Sequence, residues 1–127
     1  MDNELIRSLW LKGAHQFNSG EFFECHETLE KIWIDLEEGE SKKFIQGIIH
    51  LAVGHYHHQK GNLIGGKLQH QKALKKLQGI DRNKINSMFN CNVEEISKEL
   101  KKEESDDIYL VGRRIVNVDP LPISLST

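Results

Sequence analysis

Two short breaks, Asn18-Ser19-Gly20 and Gly61-Asn62, each interrupt stretches of helical-period apolar residues, and they constrain the fold more than any other feature of the chain. Before the first break, Leu5, Ile6, Leu9, Trp10, Gly13 and Phe17 recur at helical intervals and predict a helix from about Asn3 to Phe17. The Asn-Ser-Gly run is a turn signal. A second helix is expected from about Glu21 to Glu37, with acidic residues in its first turn to suit the helix dipole. Glu38-Gly39-Glu40-Ser41 ends it, and Ser41 is placed to cap a third helix from about Lys42 to Lys60. That helix is the most apolar, with Phe44, Ile45, Ile48, Ile49, Leu51, Ala52, Val53 and Tyr56 spread over a wide arc, so it is expected at the centre. After Gly61-Asn62 a fourth helix runs from about Leu63 to Leu77, and Gly79 stops it.

The two halves echo each other. Superposing Gly20 on Gly61 aligns Phe22 with Leu63, Phe23 with Ile64, Trp33 with Leu74 and Leu36 with Leu77. The expectation is an all-α fold, a compact bundle of about five helices built from two helical hairpins paired in tetratricopeptide fashion. A solenoid is disfavoured, because at least three repeats are usual there. Residues 1–80 form the core of four helices. Residues 81–127 add a short helix, capped by Asn92 and running from Val93 to about Glu104, and an extended tail on the same domain. Pro120 and Pro122 forbid a helix in that tail.

A chain of 127 residues can bury a core without disulfide or metal staples. Cys25 and Cys91 lie far apart and outside any Cys-x-x-Cys spacing, so a disulfide framework and a cysteine zinc site are both disfavoured. The opening Met-Asp-Asn-Glu carries no secretory pattern, and no apolar run approaches the roughly 20 residues that span a bilayer. A reduced, cytoplasmic protein without membrane association is expected. A formal charge of −2 offers no field for gripping nucleic acid. Lys67, Lys72, Lys75 and Lys76 read as the solvated face of the fourth helix.

The chemistry-bearing residues concentrate in the second helix. At about 100° per residue, Phe22, His26, Leu29 and Trp33 share one stripe. Glu30 lies one turn beyond His26, and Glu27 flanks it beside Phe23, so His26, Glu27 and Glu30 form a polar notch in an aromatic surface. Buried ionisable groups must be paired or bound to something. Three readings stand: a His26–Glu30 lock that fixes packing, a site that holds a ligand or metal, or a different helix phase that leaves these groups exposed. His26-Glu27-x-x-Glu30 is a weakened form of His-Glu-x-x-His, with a carboxylate as second ligand. The Glu-x-x-His pair of di-iron bundles is absent.

A second wall for such a site would come from the third helix, where Gln46, His50 and His57 line one stripe. His55 falls within the apolar arc and reads as a core residue, His58 shares a narrow stripe with Gly47 and Gly54, and His70 reads as packed. No phosphate-cradling glycine loop, Gly-x-Ser-x-Gly elbow or Cys/His nucleophile spacing occurs, which disfavours nucleotide hydrolysis and covalent catalysis.

The block Phe17-Asn18-x-Gly20-x-Phe22-Phe23-Glu24-x-His26-Glu27-x-Leu29-Glu30-x-x-Trp33 resembles the hallmark of a family of small bacterial and archaeal helical proteins, the domain-of-unknown-function family 309. A second block, Gln46-Gly47-Ile48-Ile49-x-Leu51-Ala52 with Gly61-Asn62, Gly66 and Ala73-Leu74-x-x-Leu77, extends the likeness over about residues 5 to 78. The resemblance implies a helical bundle with His26, Glu27 and Glu30 facing inward, and implies no activity. Cys25, Gly54 and Gly66 stand where alanine is common in the family; being small, they are expected to leave packing unchanged.

Two functions follow. The first is a non-catalytic interaction or assembly module with a buried His–Glu network, forming a homo-oligomer or docking a protein partner, with Trp10 and Phe17 as the candidate edge. The alternative is a metal-assisted enzyme or small-ligand binder. In it His26 and Glu30 hold a divalent metal, Glu27 is the catalytic base, and Phe22, Phe23, Trp33, Gln46, His50 and His57 line the pocket.

Overall fold

The computed structural model describes residues 1–105, with side chains through Lys102; the tail expected to be extended, from Asp106 on, lies outside the described residues. Five α-helices follow one another: α1 (Asn3–Asn18), α2 (Phe22–Asp35), α3 (Glu40–Gln59), α4 (Leu63–Gln78) and α5 (Val93–Ser105), with one 3-10 turn at Arg82–Lys84. No strand occurs among the described residues. α1 pairs with α2, α3 pairs with α4, α2 joins the two hairpins by packing on α3, and α5 packs on α4.

Local chemistry sets the boundaries. The Asp2 carboxylate accepts from Leu5 N at 2.8 Å and caps α1, and the Asn62 amide oxygen accepts from Gly65 N at 2.9 Å and caps α4. Asn92 caps α5 as expected, accepting from Glu95 N at 3.2 Å. Ser41 does not cap α3, which starts at Glu40; its hydroxyl instead accepts from Asn86 N at 2.9 Å and pins the loop before α5. Gly20 and Gly61 adopt φ of +79° and +81°, the left-handed region that closes both hairpins. The two turns lie side by side, because the Gln59 amide donates to the Gly20 carbonyl at 3.0 Å.

One core runs through the bundle, and its ends differ in kind. Away from the turns, the Trp10 ring lies 5.6 Å from both Phe44 and Phe89, backed by Ile45, Ile48 and Ile96. At the turn end Phe17 meets Phe22 edge-on at 5.2 Å, and the imidazole of His55 closes the group, 4.9 Å from Phe22. Trp10 and Phe17 are therefore core residues and not an exposed edge.

The second helix is rotated from its expected phase. Its buried stripe is Phe22, Cys25, Leu29 and Ile32, with Thr28 beside it donating to the Gln16 amide oxygen at 2.7 Å. Phe and Trp drew the expected stripe toward Trp33, but the tightest seam is set by Gly13 of α1. A Cβ there would lie 2.7 Å from Leu29 Cδ2. Burial pushes the Cys25 thiol up to about 12, with the Phe17 backbone hydrogen bond opposing it, which makes Cys25 a packed hydrophobe and not a nucleophile.

Candidate functional site

The rotation of α2 moves the expected notch to the rim. His26 Nε2 and Glu30 Oε2 do pair, at 3.2 Å, but the side chains are 28% and 48% exposed, and Glu27 is exposed as well. The His–Glu network is thus a surface pair, which corrects both its expected burial and its inward facing. Phe23 is 44% exposed, with His26 at 5.8 Å and Tyr56 of α3 at 5.4 Å between ring centroids.

The expected second wall is split. His50 turns toward α4, its Nδ1 2.8 Å from the Gln69 amide oxygen. Burial holds its pKa below the ordinary value against the opposing Gln69 bond, and Lys72 and Lys76 add to the lowering. His57 is half-buried beside Tyr56, their rings 6.2 Å apart, and Gln46 is half-buried earlier on α3. Phe22 belongs to the core, whereas Trp33 is half-buried under the Lys42 ammonium, 4.6 Å from its ring.

Three other histidines do converge. One ring nitrogen from each of His55, His58 and His70 lies within 4.8 Å of the other two, a grouping that does not include His26 or Glu30. His55 and His58 come from the last turns of α3, and His70 from α4. His55 and His70 are buried and His58 half-buried, with both ring nitrogens of His58 turned away from solvent. The rings meet edge to face, with centroids 4.7 Å apart for His55–His70 and 5.0 Å for His58–His70.

Two glycines make the room. A Cβ on Gly54 would run into the imidazole of His70, and one on Gly66 into that of His58. Each glycine stands four residues before a histidine of its own helix, so Gly54-x-x-x-His58 and Gly66-x-x-x-His70 pack reciprocally across the α3–α4 hairpin. The backbones also approach closely, each glycine's carbonyl lying 3.0–3.1 Å from where a Cβ on the other would stand. The cluster keeps His55 neutral: burial holds its pKa well below the ordinary value, and His70 and His58 lower it further. The expectations for His55 and His70 as packed residues hold, but their convergence with His58 was not read from the sequence. The repeated Gly-x-x-x-His was the signal available.

The fold and this cluster define a class, a small all-α protein of two hairpins with three histidines gathered in the second. No described helix is long and apolar enough to cross a membrane. Residues 10–68 match the model of the family described as "Domain of unknown function (DUF309)". That segment contains the His26–Glu30 pair, His55 and His58, and ends two residues before His70. Among similar proteins, the uncharacterized protein YpuF of Bacillus subtilis (strain 168) is 37% identical over 62 residues, 49% of this chain and 36% of that protein. An uncharacterized protein of Aquifex aeolicus (strain VF5) is 32% identical over 63 residues, 50% of this chain and 19% of that one. The chain therefore spans well under half the length of either relative, and neither carries an assigned activity.

Proposed function

We propose that this chain is a non-catalytic assembly module that associates with a second copy of itself through the α2–α3 rim at the turn end. The observation that carries this reading is the exposed Phe23 ring, held between His26 and Tyr56 on a surface with no further layer of described residues over it. An aromatic ring left in water between ordered neighbours is the kind of anchor on which interfaces centre. The rim is also self-complementary in charge. Glu27 and Glu30 line its α2 side, while Lys60 on the α3 side lies 5.6 Å from the Tyr56 ring, so a two-fold arrangement sets acid against base twice.

Sedimentation equilibrium tests this. A dimer that becomes a monomer in the Phe23→Ser variant supports the reading, and a wild-type monomer at high micromolar concentration refutes it.

The same rim supports a second reading, in which His26 and Glu30 hold a divalent metal with Glu27 as the base. The observation in its favour is the 3.2 Å pair already open to solvent. Metal analysis of the His26→Ala protein tests it. Stoichiometric metal in wild type that disappears in a folded His26→Ala variant would establish this site, and unchanged metal content would remove it.

A further inference from the structure

We propose that His55, His58 and His70 bind one divalent transition-metal ion of the zinc class between α3 and α4. Imidazole nitrogen suits zinc, nickel, cobalt and copper, and three protein nitrogens leave a position for water or an incoming group. A tetrahedral ion with bonds of about 2.0–2.1 Å requires nitrogens about 3.3 Å apart. The observed spread, within 4.8 Å, is wider than that, so binding requires the rings to turn toward one another.

Two independent observations separate this cluster from three histidines that merely pack. First, the Nδ1 of His55 is buried and has no hydrogen-bond partner among the described residues, although His55 itself is only 1% exposed. A buried polar atom left unsatisfied is unfavourable, and a metal bond would satisfy it. Aromatic contact with Phe17 and Phe22 packs the ring but does not satisfy that nitrogen. Second, Gly54 and Gly66 are the two positions where any side chain would occupy the space of the His70 and His58 rings. Gly47, on the same face of α3, meets only the flexible end of Leu77 and Lys76 Cβ. The imidazoles are thus given room by backbone that carries no Cβ, on both helices at once.

His55 and His70 form the buried floor, and His58 comes from near the end of α3. Because α3 supplies two ligands and α4 one, the ion also clips the second hairpin shut.

The test uses the untagged full chain, stripped with chelator and titrated with Zn(II) against a chromogenic competitor, with Co(II) absorption as the coordination probe. One ion per chain with a Kd of micromolar or tighter is expected. Weakening of at least a hundredfold is expected in His58→Gln, His70→Gln and Gly66→Ala, with no change in His57→Ala or His26→Ala. His58 is half-buried, so His58→Gln preserves the fold even if His70→Gln does not, and far-UV circular dichroism checks each variant. X-ray absorption on the zinc-loaded protein should count three imidazoles. Failure of the folded wild type to bind any of Zn(II), Co(II), Ni(II) or Cu(II) at neutral pH would overturn the proposal. Wild-type affinity in folded His58→Gln would do the same, as would loss of binding in His26→Ala instead.

Discussion

Both ends of this bundle bury aromatic rings, and they do different things with them. Away from the turns, Trp10, Phe44 and Phe89 form a cluster of rings backed by isoleucine. At the turn end Phe17 and Phe22 pack against an imidazole, His55, and two further histidines stand behind it. An apolar cluster returns free energy in proportion to the surface it removes from water. An imidazole buried in the same way brings nitrogens that must be satisfied. The difference teaches that the far end holds the fold, while the turn end trades some of that stability for a place where chemistry can occur.

The sharpest way to break this comparison is to damage the far end. Trp10→Ala should destabilise the protein by about 3–5 kcal/mol, read as a shift of the urea midpoint, because a fully buried ring leaves a cavity among helices that cannot close over it. Gly66→Ala comes next. It sets a methyl group where the His58 ring lies and should cost about 1–3 kcal/mol in the metal-free protein. If Gly66→Ala were neutral while Trp10→Ala unfolded the chain, the turn end would be looser than described.

A pH series sharpens the same contrast. In the metal-free fold His55 is held neutral, whereas in the unfolded chain it takes a proton below its ordinary pKa of 6.5. The unfolded state then binds more protons, so stability is full above pH 6.5 and falls as pH drops below it, by at most about 1.4 kcal/mol per pH unit. His50 adds a shallower slope of the same sign. The charged groups His55 would face are His58 and His70, and both disfavour its protonation. Replacing His55 by Phe should flatten the profile between pH 5 and 6.5, as urea melts at each pH would show.

The smallest effect belongs to the surface pair. His26→Ala should change stability by no more than about 0.5 kcal/mol, because the pair is open to solvent and screened by salt. A loss several times larger would return His26 to the structural lock that its sequence context suggested.

Much of the fold was legible in the sequence. Helical periodicity and the Gly20 and Gly61 turns located all four core helices to within about two residues, and Asn92 announced α5. The face of α2 was misread because hydrophobicity alone favours Phe22 and Trp33, whereas the seam is set by what α1 can accept. Gly13 admits Leu29, and Gln16 receives Thr28. That information lies on another helix. The histidine cluster was hidden for the same reason, since two of its members look like packed residues when each helix is read alone. Gly54 and Gly66, small residues expected to leave packing unchanged, turn out to decide where the rings of His70 and His58 can lie. What the sequence did carry was their identical spacing, Gly-x-x-x-His on each helix of one hairpin.

The central claim, that the turn end holds a metal site while the far end holds the fold, is tested most directly by thermal unfolding at pH 7.5 with excess Zn(II) and with EDTA. A ligand that binds only the folded state stabilises it by about 2.7 kcal/mol at a hundred times its Kd. Wild type should therefore melt several degrees higher with zinc, and His58→Gln should melt at one temperature in both. Equal wild-type melting temperatures with and without zinc, or a zinc shift that survives in His58→Gln, would contradict the account.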